Sequence, residues 1–130
     1  MRKQTSKKST QLNLIGLIDI NTDSIRMNIS EINDKGKVRT VEELWVTIAI
    51  GRDIFTSGMI SNNTISDIVK ILNNFKELLC SYKVEKFKSI ASYNIKEASN
   101  LDTVFDRIYN ETDIKIELLE PIVETEILIS

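Results

Sequence analysis

The sequence predicts an α/β fold, a mixed five-stranded sheet with helices packed against it, in the order βββαβαβα. Three observations carry this. Residues 14–20, LIGLIDI, are almost continuously apolar, the pattern of a central strand covered on both faces. A period-two stretch and a polar turn follow, which make an antiparallel meander. In the second half, helical periodicity alternates with short strand-like runs, and that alternation requires parallel crossovers.

The elements read in order as follows. The first strand ends in Asp19, and DINTDS leads into a second strand, where Ile25, Met27 and Ile29 alternate with Arg26, Asn28 and Ser30. One face of that strand is therefore buried. NDKGK at 33–37 supplies the turn into a third strand, VRTVEELWVTIAI, and GRDIFTSG reads as a loop. Ser61 is placed to cap a long helix with Ile65, Ile68, Val69, Leu72, Phe75, Leu78 and Leu79 on one face. KFKSIA (86–91) is the fourth strand. A helix with Leu101, Val104, Phe105 and Ile108 on one side comes next, then DIKIELL (113–119) as the last strand, and Pro121 where a final helix begins.

Length and charge limit the function classes. At 130 residues, 42% hydrophobic and 28% charged, the chain holds one domain with its own core. A net charge of -2 gives no overall positive field for nucleic acid or an anionic membrane surface. Residues 1–11 read as a flexible basic tail, with Arg2, Lys3, Lys7 and Lys8 and no acid, and residues 12–130 as the domain. The tail and LNLIGLIDI together have the outline of a signal peptide, but Asn13 and Asp19 interrupt the apolar run and no small-residue cleavage site follows. No run of about 18 apolar residues spans a membrane. The single cysteine, Cys80, is expected as a buried small hydrophobe, and a reducing cytoplasm as the location.

The absence of histidine excludes most. Ser-His-Asp and Cys-His catalysis and most zinc sites need imidazole. Chemistry is left to carboxylates, hydroxyls, backbone amides, Lys and Arg, with a hard, oxygen-loving cation.

Three stretches carry a family resemblance. IGLIDINTDSIRM (15–27) resembles the first phosphate loop, D-x-G-S-N-S-x-R, of the exopolyphosphatase and guanosine pentaphosphate phosphohydrolase (Ppx/GppA) family. IASYNIKEASN (90–100) resembles that family's A-T-S-A-I-R-E-A-x-N segment, and IGRDIFTSGMIS (50–61) its loop before the long helix. The likeness covers residues 12–127. It implies one lobe, the N-terminal one, of a ribonuclease H-like fold of the actin-like ATPase superfamily. It also implies Mg²⁺-dependent hydrolysis of phosphoanhydride bonds in polyphosphate or guanosine pentaphosphate.

A turn between strands gathers backbone N-H groups into one concavity, hydroxyls add donors, and a carboxylate at the strand end holds Mg²⁺ directly or through water. On the resembling positions, Asp19 is the metal ligand, and Asn21, Thr22, Asp23, Ser24, Arg26 and Lys96 are the phosphate-binding residues. The same DINTDS also reads as a plain polar hairpin turn, Arg26 as an outward solvated residue and Lys96 as an exposed helix-end lysine. Trp45 and Tyr93 read as base-stacking residues or, more simply, as core or interface packing. Glu117, Glu120, Glu124 and Glu126 form an acidic group that reads as a solvated helix surface or a metal site.

Departures from the family pattern fall at informative places. Asn21 stands for glycine, and Asp23 for asparagine. A carboxylate about 4 Å from a phosphate repels it by roughly 1 to 4 kcal/mol at effective dielectrics between water and protein surface. Near the end, Val123 occupies the position of the water-activating glutamate and Pro121 that of a glycine. Glu124, the remaining catalytic candidate, is one residue further, about 100° around a helix. The family's second phosphate loop, D-I-G-G-G-S, has no counterpart, so the chain holds half of an active site and is expected to be inactive alone. Two function classes follow: a phosphoanhydride hydrolase completed by a second lobe or second protomer, or a non-catalytic phosphate-ligand-binding or protein-interaction domain. The face left by a missing lobe predicts a homodimer through the apolar EILIS at 126–130.

Overall fold

β1 (Asn13–Ile20) is the middle strand of a five-stranded sheet in the computed structural model, which describes residues 13–120. β2 (Ser24–Ile32) and β3 (Val38–Thr47) complete an antiparallel meander on one side of it, while β4 (Lys86–Ala91) and β5 (Glu117–Leu118) run parallel on the other, giving the order β3-β2-β1-β4-β5. The mixed sheet of the sequence reading is therefore present.

The core lies on one face of this sheet. Ile18 and Ile20 of β1 stand opposite Met27 and Ile25 of β2, and all four are buried. Against them packs α2 (Asn62–Ser81), whose Ile65, Ile68, Val69, Leu72, Phe75 and Leu79 are buried as the helical spacing predicts. Burying each such side chain stabilises the fold by about 1.5–3 kcal/mol. Gly16 sets the separation, because a Cβ there would lie 2.7 Å from Leu79 Cδ2. α3 (Leu101–Thr112) adds Leu101, Val104 and Ile108 to the same layer.

The opposite face differs from the expectation for β1. Ile15 is 40% exposed and Leu17 only half-buried, so among the described residues the central strand is covered on one face. Its apolar run is continuous although the described residues leave that second face partly exposed.

GRDIFTSG is not a loop. Ile50–Ser57 forms a short helix, α1, which inserts an element into the predicted order. Ile50 anchors it in the core, and Gly58, at φ 75°, closes it by donating its N-H to the Ile54 carbonyl at 2.8 Å. Ser61 then caps α2 as expected, its hydroxyl accepting from the Thr64 N-H at 3.1 Å. A 3-10 helix at Tyr93–Glu97 follows β4.

Further readings need correction. The last strand comprises only Glu117–Leu118, because Ile114 and Ile116 are buried without joining the ladder. Cys80 is exposed, since one position beyond Leu79 turns it about 100° off the buried stripe. The basic tail, the helix expected at Pro121, Val123, Glu124 and the EILIS segment lie outside the described residues.

Candidate functional site

The tip of the first hairpin is closed by the buried pair Ile20 and Ile25, and residues 21–23 make the turn. Asn21 donates its N-H to the Ser24 carbonyl at 2.8 Å. The next two carbonyls are both taken: Thr22 accepts from the Gly51 N-H at 2.7 Å and Asp23 from the Ile48 N-H at 3.0 Å. Ser92, just past β4, donates its N-H to the Ile20 carbonyl at 2.9 Å. Two neighbouring segments, residues 48–51 and Ser92, thus hold the turn through three backbone hydrogen bonds.

One small residue fits this arrangement. A Cβ on Gly51 would sit 3.2 Å from the Thr22 Cβ, so α1 approaches the turn closely because residue 51 has no side chain. Asn21, by contrast, needs no glycine-like backbone, since the positive-φ residues among those described are Gly36, Gly58, Lys83 and Asp113.

The side chains divide between two concavities. Asp19, Asn21, Ser24 and Arg26 line one of about 410 Å³ together with Glu43 and Trp45 of β3. Thr22 and Asp23 open instead on a second, of about 420 Å³, with Thr47, Gly51, Arg52 and Asp67. Lys96 lines neither. Its ammonium donates to the Tyr93 hydroxyl at 3.3 Å and sits 5.1 Å from the centre of that ring.

Within the first concavity Arg26 lies between two carboxylates, Asp19 at 3.2 Å and Glu43 at 3.7 Å. The cluster carries a formal net charge of -1, and an incoming phosphate needs a cation to offset it. Asp19, flanked by an amide and a hydroxyl, is the residue that would hold a Mg²⁺ retaining much of its water, and the ion would supply positive charge there. It does not make an all-protein cage: among the described residues no group of three acidic side chains converges.

Glu43 is the site residue the sequence reading missed. It stands beside Arg26 because Arg26 pairs with Trp45, and a register shift at Ile29/Ser30 sets that pairing. Behind the site, Asp53 joins α1 to α2 by accepting the Ser61 N-H at 2.9 Å. Burial raises its pKa, but hydrogen bonds from the Thr64 hydroxyl, the Ser61 N-H and the Ser61 hydroxyl, with the Arg52 charge, outweigh this and hold it below the ordinary carboxylate value.

A mixed sheet whose central hairpin presents hydroxyls, amides and one carboxylate beside the carboxyl ends of parallel strands is a lobe of the actin-like, ribonuclease H-like α/β class. Solved structures agree. An Aquifex aeolicus Ppx/GppA family member is similar at TM-score 0.80 and 26% identity, over 85% of this chain and 36% of that one. An exopolyphosphatase from Cytophaga hutchinsonii ATCC 33406 shares the fold at TM-score 0.79 and 23% identity, over 87% and 36%. Exopolyphosphatase 1 of Mycobacterium leprae (strain TN) is 19% identical over 113 residues, 87% of this chain and 33% of that protein. The model of the Ppx/GppA phosphatase family matches residues 29–130, and the chain belongs to that family. It spans about a third of the length of these relatives. No helix among the described residues is long and apolar enough to cross a membrane.

Proposed function

We propose that this chain forms the N-terminal, phosphate-binding lobe of a cytoplasmic, Mg²⁺-dependent phosphoanhydride hydrolase acting on polyphosphate or guanosine pentaphosphate, completed by a second lobe or a second protomer. The observation that supports it is the concavity of Asp19, Asn21, Ser24 and Arg26 at the tip of the central hairpin, in a chain of the Ppx/GppA phosphatase family. The Ser24 hydroxyl and the Asn21 amide donate to phosphate oxygens, and the Arg26 guanidinium, oriented by Asp19 and Glu43, adds a directed donor while those two carboxylates offset its charge. Mg²⁺, when bound at Asp19, supplies further charge neutralisation. Asp23 opens on the neighbouring concavity, which lessens the repulsion its carboxylate would exert. Glu124, beside Val123, is the residue assigned to the attacking water. Thr22 and Lys96 act outside the first concavity.

A second reading is favoured by Val123 at the glutamate position. On it the lobe holds a phosphorylated ligand or a protein without turning a substrate over. Calorimetric titration with polyphosphate and with guanosine pentaphosphate, with and without Mg²⁺, tests the common core of both. Mg²⁺-dependent binding abolished by Asp19→Asn is the expected result. Absence of binding to either ligand in the parent chain would overturn the assignment.

A further inference from the structure

Trp45 is 66% exposed, while Leu44, on the other face of the same strand, is half-buried against the core. It is the direct cross-strand partner of Arg26, which in turn is the partner of Asp19. The three side chains therefore stand in a row across β3, β2 and β1, on the rim of one concavity, with neighbouring strands about 4.8 Å apart. An indole presents a wide apolar face that accepts the flat face of a nucleobase, and every base has one.

Charge orders the two ends of this row. At the β1 end lie the Asn21 amide and the Ser24 hydroxyl, donors suited to phosphate oxygens. At the β3 end the Glu43 carboxylate stands two residues from Trp45 on the same face of its strand, and it repels phosphate while leaving an uncharged ring unaffected. A ligand that is anionic at one end and aromatic at the other fits both ends. A uniformly anionic polymer fits only one.

We infer that Trp45 is a nucleobase-stacking residue and that the ligand of this concavity is a nucleoside polyphosphate rather than inorganic polyphosphate. This rests on the phosphate-binding reading of the hairpin and narrows it. The binding mode places the base on the indole, the phosphates toward Asn21 and Ser24, and the sugar over Arg26.

Trp45 is the only tryptophan in the chain, so its emission reports on the site directly. The 130-residue chain is titrated in Mg²⁺ with GTP and with inorganic tripolyphosphate, by fluorescence and by calorimetry, next to Trp45→Leu and Trp45→Phe. GTP is expected to quench the emission and to bind about tenfold or more tightly than tripolyphosphate, from the usual strength of base stacking. Trp45→Leu should erase that preference and leave tripolyphosphate affinity unchanged, and Trp45→Phe should restore part of it. Equal affinities with no response to either substitution would overturn the role of Trp45 and leave the phosphate site standing. Failure of both ligands to bind would overturn both.

Discussion

Replacing Gly16 with alanine puts a methyl group where the sheet and α2 already touch. The new Cβ would lie 2.7 Å from Leu79 Cδ2, 3.0 Å from Phe87 Cβ and 3.5 Å from Val84 Cγ1. Leu79 is 1% exposed and has no free space to turn into. Phe87 Cβ is attached directly to the backbone of β4, at the residue paired with Gly16. Relief must come from α2 lifting or β4 shifting. Overpacking of this kind costs about 1–3 kcal/mol, and the lost freedom of the unfolded glycine returns about 0.4–1 kcal/mol. The net destabilisation spans about 0–2.6 kcal/mol and is centred at about 1.3 kcal/mol, a fall in melting temperature of roughly 4–6 °C for a chain of this size. Thermal unfolding followed by circular dichroism measures it. Leu79→Ala alone costs about 2–5 kcal/mol, but it removes the clashing methyl, so the double variant should lose about 1 kcal/mol less than the sum of the singles. A Gly16→Ala chain that melts at or above the parent, or a strictly additive double variant, would refute the packing argument.

Asp53→Asn should destabilise at neutral pH. The carboxyl pKa is depressed in the folded state, so its contribution is complete above the unfolded value of 3.8 and is lost as pH falls through the folded value. The gap in melting temperature between parent and variant should therefore narrow below pH 3.8, and a gap that stays constant down to pH 2 would argue against the charge. Asn100→Ala should cost about 2–3 kcal/mol in urea unfolding, because it leaves both backbone groups of buried Ile60 without partners. Asn100→Asp, which keeps only the acceptor, should fall between the two.

Much of the fold was legible because burial imposes period. Ile25, Met27 and Ile29 alternate as strand residues, and the stripe of α2 repeats at helical spacing. α1 escaped because it is eight residues long and buries only Ile50, too little for a periodic signal. Its local marks were present in Asp53 of the first turn and Gly58 just past the end. The site was legible in part. Asp19, Asn21, Ser24 and Arg26 share one concavity, but the partition of Thr22 and Asp23 into another depends on the path of the turn. The positions of Glu43 and Trp45 were hidden for a sharper reason. From the NDKGK turn, Ile32 pairs with Val38 and Ser30 with Thr40; continued without a shift, that register would bring Leu44 opposite Arg26. The bulge between Ile29 and Ser30 moves the pairing by one residue, which exchanges the two faces of β3 and sends Leu44 to the core and Trp45 to the site.

The strand order also separates what forms early from what forms late. Every residue lining the Asp19 to Trp45 concavity belongs to the opening meander, whose pairings join neighbours in the chain. The pairing of β1 with β4, by contrast, joins Ile15 to Lys86 across the whole of α1 and α2. Contacts of short sequence separation close fastest, and long-range parallel pairing is slow. During synthesis the concavity is drawn by residues 13–47, which emerge before α1 and α2. The helical layer that holds it in shape arrives afterwards. Substitutions in the meander should therefore act on the rate of folding, and those at the β1 and β4 seam on the rate of unfolding.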